Sequence, residues 1–176
     1  MQTTTTYSGT VYRCIPSSST TPLSTEYSVT YGGRWNAAGS YPMMYTFLSE
    51  QLARQWWLDK SMPPFPAEER QPESRPDLLI LGWDLDNVAD LTCTAGLEEV
   101  GLPSTYPMGF TGRTSWTVTQ SVGATINASG HTGILTRSAS TSEWSGQVES
   151  WAEIAVFTDQ APSPTLTKRI PSGDWL

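Results

Sequence analysis

The sequence predicts an α+β fold in a single domain: a central, twisted, mostly antiparallel set of strands with a few helices. Three observations carry this. Short apolar runs of strand composition recur at residues 10–15, 41–47, 78–85, 133–138 and 153–158. One segment, from Ser49 to about Lys60, has helical periodicity. Neither a GxGxxG nor a GxxxxGK[ST] element is present, so no doubly wound dinucleotide fold and no phosphate loop is expected. At 176 residues the chain can bury one substantial core, and no composition shift divides residues 1–176 into two domains.

Taken in order, residues 10–15 (Thr-Val-Tyr-Arg-Cys-Ile) read as a strand and the Ser/Thr run at 17–21 as a loop. Tyr27, Val29 and Tyr31 alternate with small polar residues, which predicts a short strand leading into the turn that starts at Gly32. Residues 41–47 are aromatic and apolar and predict a buried strand. Ser49 then stands as a helix N-cap with Glu50 in the first turn, where a carboxylate meets the positive end of the helix dipole. Leu48, Leu52 and Trp56 repeat every four residues, and Met62-Pro63-Pro64 ends the helix. Residues 67–76 are charged and proline-bearing and read as an exposed loop. Leu78 to Leu85 forms the most apolar strand, with a further segment at 88–92 and a short one at 97–100. Residues 114–124 are compatible with a helix or a strand. Residues 133–138 and 153–158 are strands, and the proline-bearing tail from Gln160 is expected to lie over the surface.

Composition excludes several functions. The chain carries 10 Lys and Arg against 17 Asp and Glu, a formal charge of −7, so it lacks the basic face a general nucleic-acid binder needs. No apolar run approaches the roughly 20 residues of a membrane helix. The first six residues have neither the basic nor the apolar part of a signal peptide, and the expectation is a cytoplasmic protein. Cys14 and Cys93 have no metal or redox spacing and read as free, buried thiols; His131, the single histidine, reads as a loop residue. No metal site is expected.

The densest chemistry lies in Gly32-Gly33-Arg34-Trp35-Asn36-Ala37-Ala38-Gly39. Glycines permit a bend and close approach to a ligand, and an arginine presented there has a rigid fork of donors suited to a diphosphate. It is equally able to cap a turn or pair with an acid. Arg13, between Tyr12 and Cys14 in a strand, is costly to bury unless paired or bound to an anion; otherwise it faces water from an edge. Tyr45 can stack on a planar heterocycle or fill the core. Ser138, at a strand end, can hold an amide or a phosphate. Among the eight tryptophans, Trp35, Trp56 and Trp57 can line a nucleobase pocket or serve packing.

Together these residues resemble the RES family. Val11-Tyr12-Arg13, the Gly32–Gly39 run, Tyr45-Thr46, the helix with Ala53, the segment 88–92 with Gly101-Leu102, Gly133 to Ser138, and residues 154–157 are similar to its elements in order, over residues 10–158. The resemblance implies a fold like that of ADP-ribosyltransferase toxins. It also implies a bacterial toxin that destroys NAD, as a glycohydrolase or a phosphorylase, with NAD as substrate and no resident cofactor. The implied partner is an antitoxin with an Xre-type domain, and a homodimer is left open. Arg13, Arg34, Tyr45 and Ser138 are the expected catalytic residues, with Gly33, Trp35, Asn36 and Trp56 lining the dinucleotide. The chain departs from the pattern where the family carries a glutamate on the first long helix: that position is Trp56. The nearest acids there, Glu50 and Asp59, lie about 240° away and one turn away. Three readings follow: NAD cleavage, NAD or ADP-ribose binding without cleavage (or ADP-ribosyl transfer to a protein), and a partner-binding domain in which the glycine run is only a turn.

Overall fold

The structure is a computed structural model that describes residues 3–61, 76–110, 113–141 and 144–175. Ten elements follow in the order β1 (Thr4–Pro16), α1 (Glu26–Tyr31), β2 (Met43–Phe47), α2 (Glu50–Ser61), β3 (Pro76–Leu91), α3 (Thr94–Glu99), α4 (Trp116–Ala128), β4 (Gly133–Arg137), β5 (Ala152–Phe157) and β6 (Thr165–Ile170), joined by turns and short 3₁₀ segments. They form an α+β fold. The predicted loop at 67–76 and the Met62-Pro63-Pro64 stop fall almost wholly outside the described residues.

The six strands make one mixed sheet in the order β1-β2-β5-β4-β3-β6, in which β3–β4 is the parallel pair. β1 also pairs with β3 along nearly its whole length, from Thr4↔Ala89 to Pro16↔Pro76. The sheet therefore curls until β3, β1, β2, β5 and β4 close around an inner core. Val11, Ile15, Met44, Leu79, Leu81, Trp83, Leu85, Ile154 and Val156 fill it. Alternation sends the other residues outward. There Trp35, Met43, Leu97, Tyr106, Ile126, Ala155 and Phe157 form a second core under α3 and α4, and Phe47, Leu52, Ala53, Leu78 and Trp175 form a third under α2.

Three local readings are corrected, and one that was open between helix and strand is decided. Residues 27–31 belong to helix α1, because Tyr27 and Tyr31 are also i, i+4 neighbours; their rings meet at 4.8 Å on one exposed helix face. Gly32 stops the helix at φ +73. The ambiguous 114–124 segment is helical from Trp116, and its buried residues Thr119, Val122, Gly123 and Ile126 follow helical spacing. The tail does more than cover the surface: β6 pairs antiparallel with the N-terminal half of β3, with Pro162, Pro164 and Pro171 outside the strand. Cys93, expected to be buried, is exposed and caps α3 with its sulfur, while Cys14 is partly buried.

Candidate functional site

The Gly32–Gly39 run is a rigid bracket, and its residue types explain why. A Cβ on Gly32 would lie 2.8 Å from Ala38 N, and one on Gly33 would lie 2.4 Å from Tyr45 Oη. The turn thus needs both glycines, the first for its positive φ and the second for the Tyr45 ring pressed against it. Helix α4 clamps the same loop. Thr119 Oγ1 donates to Arg34 O at 2.5 Å, and Gln120 Nε2 donates to Gly33 O at 2.9 Å and Asn36 O at 3.3 Å. Tyr41 Oη donates to Trp35 O at 2.6 Å. Every carbonyl from Gly33 to Asn36 has a donor, which fixes the backbone that carries the Arg34 side chain.

Asn36 and Tyr45 are spent holding that bracket. Asn36 Nδ2 donates to Ser28 O at 2.7 Å, and its Oδ1 accepts from Tyr45 Oη at 2.7 Å. Tyr45 Oη also accepts from Trp35 N at 3.0 Å. Burial is the chief cause that holds the Tyr45 phenol well above its ordinary pKa. Trp35 is fully buried beneath Tyr106, at 5.8 Å between ring centroids, so it supports the loop from inside.

Arg34 reaches across to β5. Its Nη1 lies 3.3 Å from Glu153 Oε1, with side chains 20% and 13% exposed, so the pair is mostly desolvated yet touches solvent. Burial alone would lower the guanidinium pKa, but Tyr106, Glu153 and Tyr45 outweigh it and hold it above its ordinary value. Strand pairing sets the frame. Phe47 on β2 and Thr136 on β4 are both register partners of Glu153, so all three share the outer face of the sheet, with Tyr45 two residues from Phe47. Tyr106, from the loop after α3, is fully buried here. Its phenol is pushed up to about 12, first by burial and against the pull of Arg34. Arg137 fixes that loop by donating to Thr92 O at 2.9 Å, Ser104 O at 2.6 Å and Tyr106 O at 3.2 Å.

The structure does not bring Arg13 to Arg34. Tyr12 pairs with Phe47 and so shares the face of Glu153; Arg13, the next residue, points to the opposite, inner face between Val11 and Ile15. There its Nη1 and Nη2 donate to Pro22 O at 3.2 Å and Ser24 O at 2.9 Å, which tethers the loop after β1. Burial beside neutral carbonyls pushes its pKa down to about 10. The two guanidinium groups therefore lie on opposite faces of the sheet and do not converge. Ser138 is fully buried; its Oγ accepts from Ser140 N at 3.2 Å and its carbonyl from Trp144 Nε1 at 3.1 Å, so it shapes a turn. His131 is buried with Nδ1 3.0 Å from Asn87 O.

Trp56 is half-buried and packs on Phe47 at 5.5 Å, which places it beside the strand that carries Glu153. Beyond Ser138 an open groove of about 380 Å³ is lined by Gln51, Leu52, Gln55, Ser140, Thr141 and Ser150, all neutral. Among the described residues no cluster of His, Cys, Asp and Glu could hold a metal ion, and no helix is long and apolar enough to cross a membrane.

Sequence reasoning missed Glu153, Tyr106 and Thr136. Glu153 carried a usable signal: it is the single charge in Trp151-Ala152-Glu153-Ile154-Ala155-Val156-Phe157, the anomaly that drew attention to Arg13. Tyr106 carried none, since its loop has no period.

The RES domain model matches residues 10–175, and the chain belongs to that family. Its fold is similar to that of the MbcT toxin in the crystal structure of the M. tuberculosis MbcT–MbcA toxin–antitoxin complex. The TM-score is 0.69 at 22% identity, over 97% of this chain and 88% of that one. No curated protein matches the chain by sequence.

Proposed function

We propose that this chain is the toxin of a toxin–antitoxin pair and cleaves the nicotinamide–ribose bond of NAD at the Arg34–Glu153 pair. The observation that carries the reading is the Glu153 carboxylate, 3.3 Å from Arg34 on an outward-facing, partly solvated sheet surface. Loss of nicotinamide leaves positive charge spread over the ribose ring and C1′, and a fixed carboxylate stabilises that charge in a water-poor setting. Glu153 supplies from β5 the negative charge that family members carry on α2, where this chain has Trp56. Arg34 has five N–H donors, of which one meets Glu153; others can turn to a diphosphate oxygen. Arg13 has no role in holding NAD. Trp56, half-buried next to Phe47, offers an aromatic flank for the leaving ring. No metal enters this scheme, and NAD is substrate rather than resident cofactor. The physiological partner is an antitoxin that covers this face.

The test is nicotinamide release from NAD by purified protein, with and without phosphate, followed chromatographically. Wild type releases nicotinamide and Arg34→Ala does not, although its far-UV circular dichroism is unchanged. Intact NAD at high enzyme concentration in both buffers refutes the cleavage reading. Calorimetric binding of NAD without product would then favour a binding module.

A further inference from the structure

We infer that Tyr106 is a positioning residue of this site: its buried hydroxyl fixes the Arg34 guanidinium at the point from which it meets Glu153. This rests on the reading of the Arg34–Glu153 pair as the reaction centre.

Three independent observations support it. First, Tyr106 is among the largest side chains with no solvent exposure, and its hydroxyl has no hydrogen-bond partner of good geometry; neither has Thr136 Oγ1, also fully buried. Buried hydroxyls are normally satisfied, so an unsatisfied pair beside one ion pair calls for an explanation. Second, strand register sets Thr136 opposite Glu153, whose carboxylate lies 3.3 Å from Arg34, and the Tyr106 hydroxyl is electrostatically coupled to all three. A guanidinium can only donate, and a phenol oxygen can accept from it. In unliganded sites such bonds are often long and close only when substrate is bound. Third, the backbone is built to hold this side chain still. Arg137 grips the carbonyls of Tyr106, Ser104 and Thr92, and the ring is wedged between Trp35 at 5.8 Å and Phe110 at 5.4 Å. Packing alone would be served by phenylalanine; the hydroxyl adds nothing to the core and costs free energy to bury there.

Tyr106 does not touch substrate, because it is covered. It acts through Arg34. Once an anion pulls on the guanidinium, the phenol oxygen is the second anchor that keeps Nη1 on Glu153 rather than letting the arginine swing to the ligand alone. Thr136, the register partner of Glu153, backs the same oxygen from β4.

The experiment compares wild type, Tyr106→Phe and Thr136→Val in two readouts. The first is steady-state NAD cleavage. Tyr106→Phe lowers kcat about 10–100-fold with KM changed less than about threefold, as expected when a reacting group is misplaced and substrate binding is left intact. Thr136→Val lowers kcat in the same direction. The second is hydrogen exchange of the Arg34 side-chain N–H groups by NMR in the unliganded protein and with ADP-ribose added, assigned with Arg34→Lys. Exchange accelerates in Tyr106→Phe while the amide spectrum of the core is retained. Arg34 exchange identical in wild type and Tyr106→Phe overturns the inference, whatever the turnover. Faster exchange in a protein that never consumes NAD supports the positioning role and refutes the proposed reaction, so the two fail separately.

Discussion

Replacing Glu153 by glutamine removes one charge and almost no volume, and the structure sets what that does. At 3.3 Å and an effective dielectric constant of about 20, the attraction between the Arg34 and Glu153 charges is about 5 kcal/mol before desolvation is counted. Breaking a fully buried pair costs about 3–5 kcal/mol and an exposed one about 0–1. With side chains 20% and 13% exposed, this pair lies between, nearer the buried limit, and we expect Glu153→Gln to cost about 2–3 kcal/mol. For a chain of this size that lowers the melting midpoint by about 4–12 °C. The glutamine Oε1 still accepts from Arg34, so the bracket and the sheet register survive. Turnover should fall much further, by about 10²–10³, because the positive ribose loses its fixed counter-charge. Nicotinamide release measured well below the melting midpoint separates the two effects. A variant that is less stable yet cleaves NAD at the wild-type rate would refute the argument: the pair would then be a structural clamp and the chemistry would lie elsewhere.

Two further perturbations probe the scaffold. Gly33→Ala places a methyl group 2.4 Å from Tyr45 Oη; scanning calorimetry should show a loss of about 1–3 kcal/mol and reduced activity, because the loop that carries Arg34 must shift. At the far edge of the sheet Asp77 Oδ2 accepts from Arg169 Nε at 2.6 Å. Burial alone would raise the Asp77 pKa, but hydrogen bonds from Arg169 and Ser17 lower it on balance. A carboxyl with a lowered folded-state pKa adds stability above its unfolded value near 4, and that stability is lost as pH falls through the folded value. Melting curves below about pH 4 should therefore fall more steeply for wild type than for Asp77→Asn.

The fold class was legible because it depends on local pattern. The apolar runs mark β1 to β5, and Ser49 with Leu52 and Trp56 marks α2, whose first turn is stabilised as expected by Leu52 N donating to Ser49 Oγ at 3.3 Å. The errors came where one pattern fits two periods. Tyr27 and Tyr31 satisfy both alternation and i, i+4 spacing, and only the Gly32 stop and the contacts of Ser28 decide for a helix. β6 was hidden because Thr165–Ile170 is mostly exposed, so burial leaves no apolar signature in it. The bracket around Arg34 was readable from its glycines; its target was not. Whether Arg13 or Glu153 faces Arg34 depends on strand register, and a shift of one residue reverses every face. Tyr45-to-Asn36 and Arg137-to-Tyr106 contacts join segments with no common motif, and only the closure of the sheet brings them together.

The most direct test of the central claim is a crystal structure with ADP-ribose, or with NAD bound to Glu153→Gln. The diphosphate is expected to meet Arg34, with the anomeric carbon about 3–3.5 Å from the side-chain oxygen at position 153, on the face of the sheet away from Arg13. A nucleotide seated instead on the Arg13 side, or wholly in the neutral groove between Gln51 and Ser150 with Arg34 untouched, would contradict it.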